Sequence, residues 1–316
     1  MLSVLPLLVF AAADAPHTLP TRFVADRVYV TPQTASGAML SLYTDSGGGL
    51  FLTEQAVKRL QLTPKTLPAA DGQPAQQSVT LPAFKPSASI PLPAEHGGAL
   101  MVMPEAMQKG HGGAFVGDGM LGEAWFGGHV WTWDYPAEHL VLEGAGWRAD
   151  AQATRVALGF KSENGERSAN FARLPIRIDG QALDVLFDTG ATTELVPEAL
   201  AALRDKGPAQ RATSFIVSSQ FDAWHAAHPD WRVLEKAEQG SGMDMIEVPQ
   251  VEVGGARVGP VWFTRRPDKN FHDFMSSLMD GRVEGALGGD ALRHFRVTVD
   301  YPGAAAYFRC TRDCLR

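Results

Sequence analysis

Cysteine is nearly absent from the chain: two residues in 316, Cys310 and Cys314, both at the C-terminal end. Two thiols with no His or Cys beside them leave a tetrahedral metal shell incomplete. The favoured reading is one local disulfide pinning the tail, a bond that suits an oxidising compartment. Basic blocks are missing as well. The 28 Lys and Arg are outnumbered by 35 Asp and Glu, the formal net charge is -7, and no Lys/Arg cluster is present. That argues against a nucleic-acid or anionic-membrane partner. Beyond the N-terminus there is no run of the roughly 18 apolar residues that a membrane helix needs, so the mature chain is expected to be soluble. No Gly-rich phosphate loop, Walker-type Lys or Ser-His-Asp signature stands out either.

Histidine clusters are equally sparse. His225 and His228, with Asp222 and Asp230, have the spacing that puts both imidazoles on one helix face. No further His or Cys lies near to complete a metal site, so the surface reading is preferred. Trp125, Trp131, Trp133 and Trp147 are expected to pack the core and the junction between lobes rather than to form a ligand cage.

The N-terminus reads as a secretory signal. Residues 1–10 are an apolar run, and Ala11 to Ala15 offer small-residue cleavage sites after Ala13 or Ala15. Residues 1–15 are therefore expected to be removed, which places the protein outside the cell or in a periplasm. No Lys or Arg precedes the run and Pro16 follows it, so an apolar N-terminal strand or a start placed too late stays open as an alternative. Residues 16–35 are short and near neutral for a pro-segment, and none is expected.

The chain is duplicated. Gly119-Met120-Leu121-Gly122 precedes Trp131-Thr132-Trp133-Asp134-Tyr135-Pro136, and Gly285-Ala286-Leu287-Gly288 precedes Val297-Thr298-Val299-Asp300-Tyr301-Pro302; both pairs are offset by 166 residues. Upstream, Leu42-Tyr43-Thr44-Asp45-Ser46-Gly47 and Val185-Leu186-Phe187-Asp188-Thr189-Gly190 are offset by 143, as are Gly37 and Gly180. The second copy thus holds 23 extra residues between its two motifs, which we expect within Ser214 to Gly242, where residues 221–228 look helical. Two homologous lobes follow, residues 16–146 and 147–316, joined through Glu143-Gly144-Ala145-Gly146. The late Asp134-Tyr135-Pro136 and Asp300-Tyr301-Pro302 look structural, an acid ending a strand and capping the next turn.

Short apolar runs separated by Gly, Pro and Asn turns describe a mainly β protein. Strands are expected at residues 174–178, 183–187, 247–253 and 258–263, with turns at Asp179-Gly180 and Gly254-Gly255. Helices are expected at residues 53–60, 198–204 and 289–295, and residues 67–93 read as long loops.

These residues resemble the aspartic proteases, in both the pepsin-like and the retropepsin-like branches. Asp45-Ser46-Gly47 with Met120-Leu121-Gly122 matches the family pattern once, and Asp188-Thr189-Gly190 with Ala286-Leu287-Gly288 matches it again. The resemblance spans nearly all of the mature chain. It implies a mainly β, bilobal aspartic-protease (pepsin-like) fold, two homologous β-barrel-like lobes with an active-site cleft between them. It further implies a monomeric endopeptidase that binds peptide or protein substrate in extended form, without a cofactor. Asp45 and Asp188 would be the catalytic pair. Ser46 and Thr189 would hold the two loops in register across the junction.

The chemistry gives the pattern its reason. Hydrolysing an amide without a metal or a nucleophile takes one group to accept a proton from water and another to give one to the carbonyl oxygen. Two carboxyls about 3 Å apart cannot both ionise, so they share a proton and supply both functions. Close approach needs neighbours without side chains, hence Gly47 and Gly190. The chain departs from the family in three places. Gly48 and Ala191 stand where pepsin-like enzymes carry Ser or Thr, Ala191 being the retropepsin choice; Gly48-Gly49 is expected to loosen the first loop. Between Gln61 and Pro104 there is no Tyr for the flap, and Phe84 is the expected substitute. The alternative function is a catalytically silent relative that binds a peptide or protein.

Overall fold

A computed structural model describes residues 15–68, 75–93, 98–110 and 117–315; the N-terminal apolar run lies outside them. Three sheets organise the chain. An eight-stranded sheet is built from Thr21–Val24 through Gly119–Leu121, and a nine-stranded sheet from Arg173–Ile178 through Gly285–Leu287. A six-stranded sheet draws on both halves of the sequence. At its centre Val130–Asp134 pairs antiparallel with Phe295–Asp300.

That pairing carries the mark of the duplication. Thr132 lies opposite Thr298, its own copy at the 166-residue offset, and their hydroxyls are 2.7 Å apart. A residue that meets its own repeat in an antiparallel register sits on the axis relating the two halves. Around it Phe126, Trp131, Trp133 and Tyr301 are fully buried, with Trp131 4.5 Å from Trp125 and Phe126 stacked 6.2 Å from Tyr301. The expected core role of Trp125, Trp131 and Trp133 holds, while Trp147 is half exposed against Tyr307.

Local chemistry explains the elements. The hairpins at Asp179-Gly180 and Gly254-Gly255 have positive φ at both central residues, 50° with 76° and 57° with 72°, the turn that matches strand twist. The helix Glu54–Arg59 starts at Thr53, whose hydroxyl accepts from the Ala56 N–H at 3.1 Å. Asp134 and Asp300 each accept a backbone N–H three residues on, from Ala137 and Gly303, as capping acids do. Cys310 and Cys314 are disulfide-bonded.

Several expectations change. The run at residues 247–253 splits into Met245–Val248 and Val251–Val253 around Pro249, and 258–263 splits into Ala256–Val258 and Val261–Arg266 around Pro260, because proline has no N–H to give the ladder. Within residues 67–93, Gln76–Thr80 is a strand paired with Ala99–Met103. The extra residues of the second copy also move. Phe51 pairs with Met120 in one lobe and Phe215 with Ala286 in the other. The offset is therefore already 164 at Phe51/Phe215, so 21 of the 23 extra residues lie between Asp188 and Ser214. They form the strand pair Thr192–Glu194/Gln210–Ala212 and the helix Pro197–Leu203. The helix Ser218–Ala227 is instead the longer counterpart of Glu54–Arg59.

Thr298→Val deletes the hydroxyl on the axis while Thr132 keeps Glu143 as a partner at 2.6 Å. Urea titration of the variant is expected to show a loss of about 1 kcal/mol.

Candidate active site

Asp45 and Asp188 reach the junction by the same device. Each strand carrying an acid, Leu42–Thr44 and Gln181–Phe187, lies parallel to the distal strand of its own lobe, Gly119–Leu121 or Gly285–Leu287. The acid's backbone N–H then bonds the distal leucine: Asp45 to the Leu121 carbonyl and Asp188 to the Leu287 carbonyl, both at 3.0 Å. The duplicated sequence motifs are thus one physical unit each, an acid loop anchored on a distal leucine. The glycine that closes the motif packs beneath the loop; a Cβ on Gly122 would lie 2.1 Å from the Gly48 carbonyl oxygen.

The two carboxyls meet within hydrogen-bonding reach. Each lies against the other loop's glycine: a Cβ on Gly47 would be 2.7 Å from the Asp188 Cγ, and one on Gly190 would be 2.0 Å from the Asp45 Cγ. Within its own loop each carboxylate accepts a glycine N–H, Gly47 to Asp45 Oδ1 and Gly190 to Asp188 Oδ1, both at 2.9 Å. Ser46 and Thr189 cross the junction. The Ser46 hydroxyl donates to the Phe187 carbonyl at 2.8 Å and accepts the Thr189 N–H at 3.0 Å, while the Ser46 N–H donates to Thr189 Oγ1 at 3.1 Å.

Gly48 is a spatial requirement and not a looseness. A side chain there would sit 2.5 Å from Asp45 Oδ2 and 2.7 Å from Met120 Sδ, and its carbonyl accepts the Glu123 N–H at 3.0 Å. The expectation of a loosened first loop therefore fails at Gly48; at Gly49 a Cβ would meet open space.

Burial raises both acids above the ordinary carboxylate range. For Asp45 the Asp188 charge and the hydrogen bond to it push further in the same direction, so Asp45 stands well above that range. For Asp188 the hydrogen bond from Asp45 and the Gly190 and Ala191 N–H groups work against burial. The pair titrates as a unit and shares one proton.

Other sequence expectations fall elsewhere. Phe84 bridges Thr34 and packs on the core of its lobe, so it is not the flap residue; residues 69–74, between Lys65–Leu67 and Gln76–Thr80, lie outside the description. His228 is 3.1 Å from Asp179 and stacks on Trp231 at 4.1 Å. Among the described residues no group of three or more His, Cys, Asp or Glu could hold a metal. Two grooves of about 830 and 740 Å³ open beside the first acid loop, sharing Leu50, Gln76 and Met101. The second also has Phe51, Met103 and Met107 in its walls. Neither is lined by the two acids themselves.

Sequence reasoning missed two groups. Tyr43 crosses the junction from the strand that carries Asp45; its contrast with Leu186 at the 143-residue offset was the available signal. Asp290, two residues past Gly288, is buried and accepts from the Ser214 hydroxyl at 2.8 Å and the Trp262 N–H at 3.0 Å. Burial drives it up to about 7, against the pull of Ser214 and Arg293.

With two lobes, a shared central sheet and paired acid loops at the junction, the fold is that of the pepsin-like aspartic proteinases. An aspartic proteinase from Irpex lacteus matches it over 94% of this chain and 98% of its own, with a TM-score of 0.50 and 11% identity. The edgp structure also aligns, over 94% of this chain and 95% of its own, with a TM-score of 0.42 and 11% identity. No protein-family model and no curated protein matches the sequence.

Asp290 makes a signed prediction. An acid whose folded value is raised stabilises the fold below its unfolded value near 3.8 and loses that contribution as pH climbs to about 7. The stability of Asp290→Asn relative to wild type is therefore expected to rise from pH 4 to 7 and level off above, read from Tm across the series.

Proposed function

We propose that the protein is an aspartic endopeptidase, with Asp45 and Asp188 as its catalytic pair. The supporting observation is how closely they meet: two acids from homologous loops, within hydrogen-bonding reach of one another, each against a glycine of the opposite loop. Such a pair holds one proton, and a water between the carboxyls has a base and an acid on either side. With the charge written on Asp188, that carboxylate takes a proton from water as the water oxygen attacks the scissile carbonyl carbon. Asp45 gives its proton to the carbonyl oxygen, producing a neutral tetrahedral diol. Asp188 then protonates the departing nitrogen while Asp45 recovers a proton from a diol hydroxyl, so the C–N bond breaks and the starting protonation returns. No step calls for a cofactor.

The substrate class we infer is an extended peptide lying along the junction, with apolar side chains in the grooves walled by Leu50, Met101, Met103 and Met107. Methionine walls adapt to varied apolar shapes. The second loop reads Asp-Thr-Gly-Ala, as in retropepsins, yet both loops belong to one chain, so the site is complete in a monomer. The disulfide Cys310–Cys314 is consistent with a secreted or periplasmic protein.

Incubation of a mixed peptide pool with wild type, Asp45→Asn and Asp188→Asn, followed by mass spectrometry across acidic to neutral pH, tests this. Wild type is expected to cut beside large apolar residues and each variant to lose at least about 10³-fold in kcat/KM. The basic limb of the wild-type profile is expected above the ordinary carboxylate value of 3.8, because the pair holds its shared proton beyond that point. A folded wild type that binds peptides at every pH without cutting any would instead establish the silent, peptide-binding alternative.

A second measurement concerns the groove. Met101→Ala is expected to lower kcat/KM for substrates with a large apolar side chain by about tenfold, through one lost buried contact, while leaving small-residue substrates unchanged.

A further inference from the structure

Tyr43 stands two residues before Asp45, buried at 3% exposure. Its hydroxyl donates to the Gly190 carbonyl at 2.8 Å and lies 2.7 Å from Thr192 Oγ1, both on the other lobe's acid loop. Its ring rests on Tyr29 with centroids 5.0 Å apart. The side chain is thus held at both ends.

The other lobe has nothing equivalent. At the 143-residue offset stands Leu186, which joins an apolar cluster with Phe271, Met275 and Met279. A residue needed only to fill space beside the acid strand is apolar, as Leu186 is. A buried phenol hydroxyl costs stability unless its partners are in place, and here both partners belong to the opposing acid loop.

Gly190 is the pivot of that loop. Its N–H donates to Asp188 Oδ1 at 2.9 Å, its Cα lies against the Asp45 carboxyl, and its carbonyl receives Tyr43. A displacement of Gly190 therefore changes the placement of both carboxyls together. The segment carrying Asp45 is also pinned to the second loop on both sides, by Tyr43 ahead of it and by Ser46 behind.

We propose that Tyr43 is a positioning residue: its hydrogen bond to the Gly190 carbonyl sets the separation of Asp45 and Asp188, and with it the strength with which they share a proton. This rests on the shared-proton reading of the pair. The charged and titratable groups around Tyr43 are Asp45 at the end of its own strand and Tyr29 and Arg27 on the neighbouring strand. The second lobe meets it with the neutral Gly190 and Thr192.

The test is a titration that needs no turnover. Protein labelled with ¹³C at the aspartate carboxyls is followed by NMR from pH 2 to 9 for wild type, Tyr43→Phe and the control Thr298→Val. Wild type is expected to show two well-separated steps for the pair. In Tyr43→Phe the ring stays on Tyr29 while the hydroxyl is gone, and the gap between steps is expected to narrow by about one unit. With a cleaved peptide, kcat is expected to fall about tenfold or more with KM unchanged. Thr298→Val should lose stability without moving either step. A gap unchanged in folded Tyr43→Phe, or narrowed equally in the control, overturns the positioning role alone. Wild-type carboxyls that titrate independently overturn the shared-proton reading and this role with it. Should Tyr43→Phe fail to fold, Tyr43→Leu, the residue the other lobe carries at this place, takes the same test.

Discussion

Everything in this structure depends on pressing two carboxyl groups together in a place largely shielded from water. Left alone, that arrangement is unfavourable: burial and mutual repulsion both resist ionisation. The chain meets the cost with donors arranged in near symmetry, a glycine N–H to each carboxylate and a net of Ser46 and Thr189 contacts across the junction. Glycine at 47 and 190 follows from the same demand, since any side chain there would occupy the space of the opposing carboxyl.

Duplication supplies the symmetry, and small departures from it make the surroundings of the two acids differ. The Thr132–Thr298 contact puts the axis through the shared sheet, and the Asp45 to Leu121 and Asp188 to Leu287 bonds repeat one anchoring unit on either side. Here Ala191 adds an N–H on the Asp188 side. On the Asp45 side stand Gly48, which makes room, and Tyr43, which reaches across. The insertion after Asp188 breaks the symmetry on a larger scale, adding the Thr192–Glu194 strand whose first residue takes Tyr43 as a partner.

Much of the fold was legible because the signals were local or repeated. The Asp-Gly and Gly-Gly hairpins follow from which residues tolerate positive φ. The helix at Glu54 follows from the Thr53 cap, and the two-lobe plan from motif pairs at a constant offset. Residues 247–253 and 258–263 read as single strands when Pro249 and Pro260 inside them are passed over, yet a proline withholds the N–H that a ladder needs, and the pairing breaks at both. The insertion was expected around residues 221–228 because they look helical, whereas sheet position makes Ser218–Ala227 the counterpart of Glu54–Arg59. Phe84 was assigned to a flap by elimination, and its real partners, Thr34 and the lobe core, are distant in sequence.

The sequence by itself determined that two acid-Gly loops exist, that each belongs to one of two repeated halves, and that Asp45, Ser46, Gly47, Asp188, Thr189 and Gly190 are the residues the repeat singles out. Those facts are carried by residue type and spacing, which a linear repeat displays. Only the tertiary structure decided how the halves meet. That Gly48 is confined by Asp45 and Met120, that Asp290 is buried against Ser214 and Trp262, and that Tyr43 reaches Gly190 and Thr192 are facts about atoms brought together by folding. Their partners lie far away in the chain, Tyr43 and Gly190 being 147 positions apart, and no local preference encodes a contact made at that range.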